Sequence, residues 1–196
     1  MIKKLYSCTL LGLDGLVTEV ESDVALGLPG FEIVGLPDAA VKESKERVRA
    51  AIKNCGFEFP SRKYTVNLAP AHIRKEGPAF DLPIAMAILG ASGQLEGDTD
   101  GYIFLGELSL SGEIRPVNGV LPCVLSAKKH GFTRVLVPEK NANEAALARV
   151  LAALVDGGLL VLLTVGLVIA VTNGIQASEH HEGAWGWAWL LLMLAA

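Results

Sequence analysis

Four kinds of residue in this chain could carry chemistry: hydroxyls near amines, clustered cations, imidazoles and thiols. A lysine beside a serine can remove the hydroxyl proton and make a nucleophile. Ser126 and Lys129 have helical i,i+3 spacing, although the same pair also describes an ordinary solvated helix face. Clustered cations could hold backbone phosphates without reading bases. Arg74 and Lys75 lie together, Lys42, Lys45, Arg47, Arg49 and Lys53 share one predicted helix, and Arg62 and Lys63 follow it. Glu43 and Glu46 interleave with the helical cations, as they would on any charged surface. Arg74, Lys75, Lys42, Lys45 and Arg49 are the candidate contacts to a nucleic acid or a partner.

Other chemistries lack their residues. A P-loop needs glycines whose amides cradle phosphates, then Lys and a Ser or Thr for magnesium. No GxxxxGK[ST] run occurs, and Gly12, Gly15, Gly27, Gly30 and Gly35 read as turn glycines. Autonomous ATP hydrolysis is therefore not expected, and no catalytic, cofactor-binding or metal-ligating residue is assigned. Glu179-His180-His181-Glu182 has ligand-type side chains, but four consecutive ligands point in different directions, so a solvated loop is expected. His72 falls in a loop and His130 near a helix end, where a cation suits the dipole. Cys8, Cys55 and Cys123 are scattered, with no CxxC pair, and read as three small buried thiols in a reducing compartment.

The elements that must position these residues follow from periodicity. Residues 2–11 and 15–26 read as a hairpin, the second run alternating Leu16, Thr18 and Val20 against Val17, Glu19 and Glu21, with Asp14-Gly15 as the expected turn. A short strand follows at 31–34. Asp38 is a natural N-cap for a helix over 39–54, where Val41, Val48, Ala51, Ile52 and Cys55 share one stripe. Glu43 and Arg47 make a favourable i,i+4 pair. A strand at 63–69, a loop to Pro78 and a helix over 81–92 come next, with Pro83 tolerated in the first turn. Strands are expected at 102–110 and 112–117, a helix over 120–130, a strand at 133–137 and a last helix capped by Asn141. An opening hairpin followed by interleaved helices and strands predicts an α+β fold with a mixed sheet and packed helices.

Several of these blocks, in this order, resemble one family. They are GLPGFEIVGLPDAAVKESKERVRAAIKNCGFEFP after Leu26, TVNLAPAHIRKEGPAFDLPIAMAIL at 65–89, GELSLSGEIRPVNGVLP at 106–122 and VPEKNANEAALA at 137–148. The resemblance, covering nearly all of 1–148, is to the N-terminal region of ComM/YifB-type, magnesium-chelatase-like AAA+ ATPases. It implies a Lon-protease-like, ribosomal-protein-S5-domain-2-like fold. It also implies a role beside an AAA+ engine in branch migration and DNA uptake during natural transformation. ATP and Mg would then serve the ATPase half and not these residues. The partners implied are an ATPase domain or further copies of the chain, and single-stranded or branched DNA.

The Lon likeness raises a peptidase reading, which can be followed residue by residue. Lon-type proteases carry a Ser–Lys dyad, with the serine in a Lys-Asp-Gly-Pro-Ser-like run. The matching run is Lys75-Glu76-Gly77-Pro78-Ala79, so alanine stands at the serine position. The lysine belongs to a Gly-Gly-Leu-Lys-like stretch, and here Asn118-Gly119-Val120-Leu121 places leucine there. The resemblance therefore implies a module without that dyad; a residual serine peptidase is the competing reading.

The chain divides by composition. All 17 Lys and Arg lie at or before Arg149, against 18 of the 21 acidic residues; the other three are Asp156, Glu179 and Glu182. A mean hydropathy of +0.42 is thus owed to the tail, and residues 1–149 read as a nearly neutral cytoplasmic domain. Residues 150–172 are apolar apart from Asp156, enough for about 30 Å of hydrocarbon at about 1.5 Å per residue. They form a candidate transmembrane helix in a hydrophobic helical tail over 150–196. With Arg149 on the cytoplasmic side, residues 179–182 would face outward. Trp185, Trp187 and Trp189 suit a membrane interface. A fusion or frameshift, or a helical hairpin packed on the domain, are the other readings of the tail.

Overall fold

The opening hairpin is present as β1 (Ile2–Leu11) and β2 (Asp14–Ala25), in a computed structural model that describes residues 2–95 and 99–148. Its turn is not at Asp14-Gly15. Leu11 pairs with Asp14, so Asp14 and Gly15 already belong to the ladder and Gly12-Leu13 make the bend. Gly12 takes φ +65°, a value that a Cβ disfavours. Gly15 serves close packing instead, since a Cβ there would come within 2.5 Å of the Pro122 carbonyl oxygen.

The sheet is mixed. β3 (Gly30–Val34) runs parallel to β4 (Lys63–Ala69), and β4 is antiparallel to β2. β5 (Tyr102–Phe104) lies parallel to β1, and β8 (Arg134–Leu136) parallel to β5. The strand order is β3-β4-β2-β1-β5-β8. The single strand expected over 102–110 is broken. Beyond β5, the Leu105 N–H bonds to the Leu136 carbonyl (3.0 Å) and the Gly106 N–H to the Ala79 carbonyl (3.1 Å), which turns the chain out of the ladder. β6 (Glu107–Leu108) then pairs with β7 (Ile114–Arg115) as a separate ribbon.

Three helices cover the sheet. α1 (Ala39–Asn54) starts where expected: Asp38 Oδ1 accepts from the Val41 N–H at 2.7 Å. Val41, Val48, Ala51 and Ile52 are buried on one stripe, each larger side chain contributing about 1.5–3 kcal/mol of apolar burial. Cys55 is not on it; it is exposed at the helix end. α2 (Asp81–Ala91) is apolar nearly all round and buried nearly all round, as that composition demands. α3 (Val120–Lys129) and a helical segment over 142–148 complete the described residues.

Strand alternation divides the interior in two. Leu5, Val20, Val24, Tyr64, Val66 and Phe104 meet α1 and α2 in a first cluster. Cys8, Ile103 and Leu105 meet α3 through Val120, Cys123, Val124 and Ala127 in a second. No helix among the described residues is long and apolar enough to cross a membrane. The expected boundary at Arg149, the candidate transmembrane helix at 150–172, the 179–182 loop and the tryptophan-rich end all lie outside the described residues.

Candidate functional site

The segment from Pro70 to Asp81 leads from β4 into α2 and carries the positions that the Lon likeness makes catalytic. Ala79 sits in the short 3-10 turn Pro78–Phe80, half-buried, with its carbonyl held by Gly106. Leu121 lies in the first turn of α3, also half-buried, and its N–H donates to Glu144 Oε1 at 2.9 Å. Both side chains pack against the same cluster, that of Cys8, Ile103 and Val120. Methyl and isobutyl groups offer neither a nucleophilic oxygen nor an amine to deprotonate one. Ser126 and Lys129 are not brought together either: Ser126 is buried in the interior, whereas Lys129 is exposed.

Asn141 holds this region by a route that the sequence did not suggest. Expected as a helix cap, it instead directs its side chain back to Val117: Oδ1 accepts from the Val117 N–H (3.0 Å) and Nδ2 donates to the Val117 carbonyl (2.9 Å). Nδ2 also reaches Glu144 Oε2 at 3.2 Å, and Glu144 in turn satisfies an open amide at the start of α3. The entry to α3 is thus clamped by two side chains from 141–144.

Among the candidate phosphate contacts, the two loop residues part company. Arg74 is exposed and pairs with Glu76 at 3.4 Å. Lys75 is fully buried. Its Nζ donates to the carbonyls of Pro70 and of Ile73 (2.8 Å for the latter), and its backbone bonds to Leu36 and Asp38. Burial holds the ammonium below its ordinary value of 10.5. It braces the loop and presents no charge to a ligand at the surface. On α1, Lys42 and Lys53 are exposed, and Lys45 and Arg49 half-buried.

Arg47 also has a different role. Its pair with Glu43 is long, 3.9 Å, and its main partner is Asp81: Nε lies 2.6 Å from Oδ2, and a terminal nitrogen donates to Oδ1 at 3.0 Å. Asp81 is fully buried, and it accepts as well from the Ser44 hydroxyl and from the Leu108 N–H (3.1 Å). The carboxylate raises the Arg47 pKa through this hydrogen bond. One side chain ties together α1, α2 and β6. The signal was a lone acid opening an otherwise apolar helix.

Of the thiols, Cys8 and Cys123 are buried and Cys55 is exposed, and all three are free. The neighbouring Cys8 thiol and burial push the Cys123 thiol far up, so it is held as an unreactive thiol. Among the described residues no group of three or more His, Cys, Asp or Glu side chains could hold a metal. His130 Nδ1 contacts the Ser126 carbonyl oxygen at 2.9 Å.

Comparison with known proteins places this scaffold. Residues 20–141 match the family described as subunit ChlI of Mg-chelatase. The chain belongs to that magnesium-chelatase family. Competence protein ComM of Haemophilus influenzae is 44% identical over 144 residues, which is 73% of this chain and 28% of that protein. YifB of Escherichia coli is 45% identical over 144 residues, with the same coverage. A Lon protease of Mycolicibacterium smegmatis is 29% identical over 138 residues, 66% of this chain and 17% of that protease. The chain spans less than a third of the length of the curated relatives it matches. The family likeness therefore concerns the scaffold described above, and the Lon likeness extends to a chain with alanine and leucine at the dyad positions.

Proposed function

We propose that residues 1–149 act as the non-catalytic N-terminal module of a ComM/YifB-type AAA+ machine, guiding assembly or DNA substrate for an ATPase half during natural transformation. The observation that carries this reading is the pair Ala79 and Leu121: the Lon-like scaffold is kept while its nucleophile and base positions are apolar. A scaffold held by a buried ion pair and a clamped helix entry suits a docking role, which needs shape and not a reactive group. ATP and Mg belong, in this reading, to the ATPase partner. The candidate contacts to DNA are the exposed Arg74 and Lys42, with the half-buried Lys45 and Arg49, while Lys75 braces the loop of Arg74 from inside.

The test is to add the chain to the separately produced ATPase portion of a ComM-type relative and follow ATP turnover with and without branched DNA. Binding of the two, with a change in DNA-dependent turnover, is the expected result. No association and no change in turnover would remove the module reading. The residual peptidase and membrane-tethered readings have no observation among the described residues in their favour.

A further inference from the structure

A cleft between the segment before β3, the C-terminal half of α1 and the segment entering β4 collects cations that have no acidic partner among the described residues. It is lined by Gly30, Arg49, Lys53, Phe59, Ser61 and Arg62, among others, and none of its lining residues is acidic. Two other cations of this region are matched: Arg47 by Asp81 and Glu43, and Arg74 by Glu76. Arg49 is fixed against the wall, its guanidinium carbon 5.3 Å from the centre of the Phe59 ring. Its Nε is buried and has no acceptor among the described residues. A buried donor left without an acceptor is unfavourable, and an oxyanion in the cleft would supply one.

Size and surroundings narrow the ligand. The cleft measures about 130 Å³. Pockets for whole small molecules run to about 300–1,000 Å³, so this one takes a single anionic group and not a complete cofactor. Three cationic side chains, of which two are planar donor forks, suit a phosphate. Leu26 and Leu28, each 89% exposed, stand on the loop just before the cleft, and Phe57 is exposed on the segment after α1. Apolar surface beside a phosphate site favours a strand whose bases are unpaired and can lie on it.

We propose that this cleft binds one backbone phosphate of a single-stranded nucleic acid, with Arg49, Lys53 and Arg62 as donors and without base readout. The cleft stands on its own geometry; the choice of a nucleic-acid strand as the source of the phosphate rests on the DNA-handling function proposed above. Lys53 also lies in the last turn of α1, where a cation offsets the negative helix end. Arg62 has no such second role, which makes it the cleaner position to change.

The experiment follows the anisotropy of a fluorescein-labelled oligo-dT strand with the full chain, across a salt series, for wild type, Lys53→Glu/Arg62→Glu and Lys140→Glu. Both cleft positions are exposed, so the double variant keeps its fold, which a thermal melt verifies. The double variant is expected to bind about tenfold more weakly at low salt, with the slope of log K against log salt reduced by about 2, roughly one per cation removed. Lys140→Glu, an exposed position in the turn after β8 and outside the cleft, should change binding less than about twofold. Inorganic phosphate should compete with the strand for the wild type. Equal strand binding by wild type and double variant overturns the proposal. Phosphate binding to a wild type that takes no strand overturns the nucleic-acid source and leaves a site for free phosphate. The double variant should still associate with the ATPase portion in the absence of DNA, so this site and the module reading can fail separately.

Discussion

The two interior clusters use polarity in opposite ways. Between α1, α2 and β6, a fully buried carboxylate is matched by a guanidinium, a hydroxyl and a backbone amide. Around α3, where the Lon likeness would put a nucleophile and its base, the corresponding side chains are a methyl and an isobutyl group. Buried charge in this molecule serves architecture, and the place suited to chemistry is filled with apolar packing. A Lon-type dyad needs the reverse: an amine desolvated beside a hydroxyl, not beside carbonyls. The one buried lysine among the described residues, Lys75, is occupied by the carbonyls of Pro70 and Ile73.

The contrast can be broken at its strongest point with Asp81→Ala. The change leaves Arg47 and Ser44 without their shared partner, and is expected to cost about 3–5 kcal/mol in urea unfolding. A loss below about 1 kcal/mol would mean that the ion pair is not the joint between α1, α2 and β6. Next comes Asn141→Ala on the other side, expected to cost about 2 kcal/mol because the buried amide and carbonyl of Val117 lose their partners. If α3 loses amide-exchange protection selectively in this variant, the clamp at its entry is local, as the geometry requires.

Lys75 gives a pH signature. Its folded pKa lies below the ordinary 10.5, so above the folded value the unfolded chain binds more protons than the native one. Stability from this group is therefore lowest below its folded pKa and rises with pH up to about 10.5. Lys75→Met should remove that rise, so the wild type gains on the variant as pH climbs from neutrality towards 10.5. Parallel pH–stability curves would show that the ammonium is not desolvated by the loop. The smallest effect belongs to Asp38→Ala, about 1 kcal/mol from the lost α1 cap, measured by thermal melting.

Much of the fold was legible because it rests on local rules. The Asp38 cap, the α1 stripe apart from Cys55 and the strand at 63–69 are written in neighbouring residues, and they stand where the spacing put them. What local spacing could not give were contacts across the chain. Gly12 and Asp14-Gly15 compete for one turn, and only the register of the ladder decides between them. The strand expected at 102–110 breaks because Gly106 bonds to Ala79, far back in sequence. The same limit applies to the cations: Arg47 and Lys75 looked like surface charges until Asp81, Pro70 and Ile73 were placed beside them. At the catalytic positions, residue identity from the family likeness was sufficient, since no arrangement in space gives Ala79 or Leu121 a reactive group.

The most direct test of a scaffold without Lon-type chemistry is a peptidase assay of the full chain on an unfolded protein substrate, with the ATPase portion of a ComM-type relative and ATP present. No cleavage above the ATPase portion alone is the expected result, for the wild type and for Ser126→Ala alike. Cleavage by the wild type that disappears in Ser126→Ala would contradict the non-catalytic role outright.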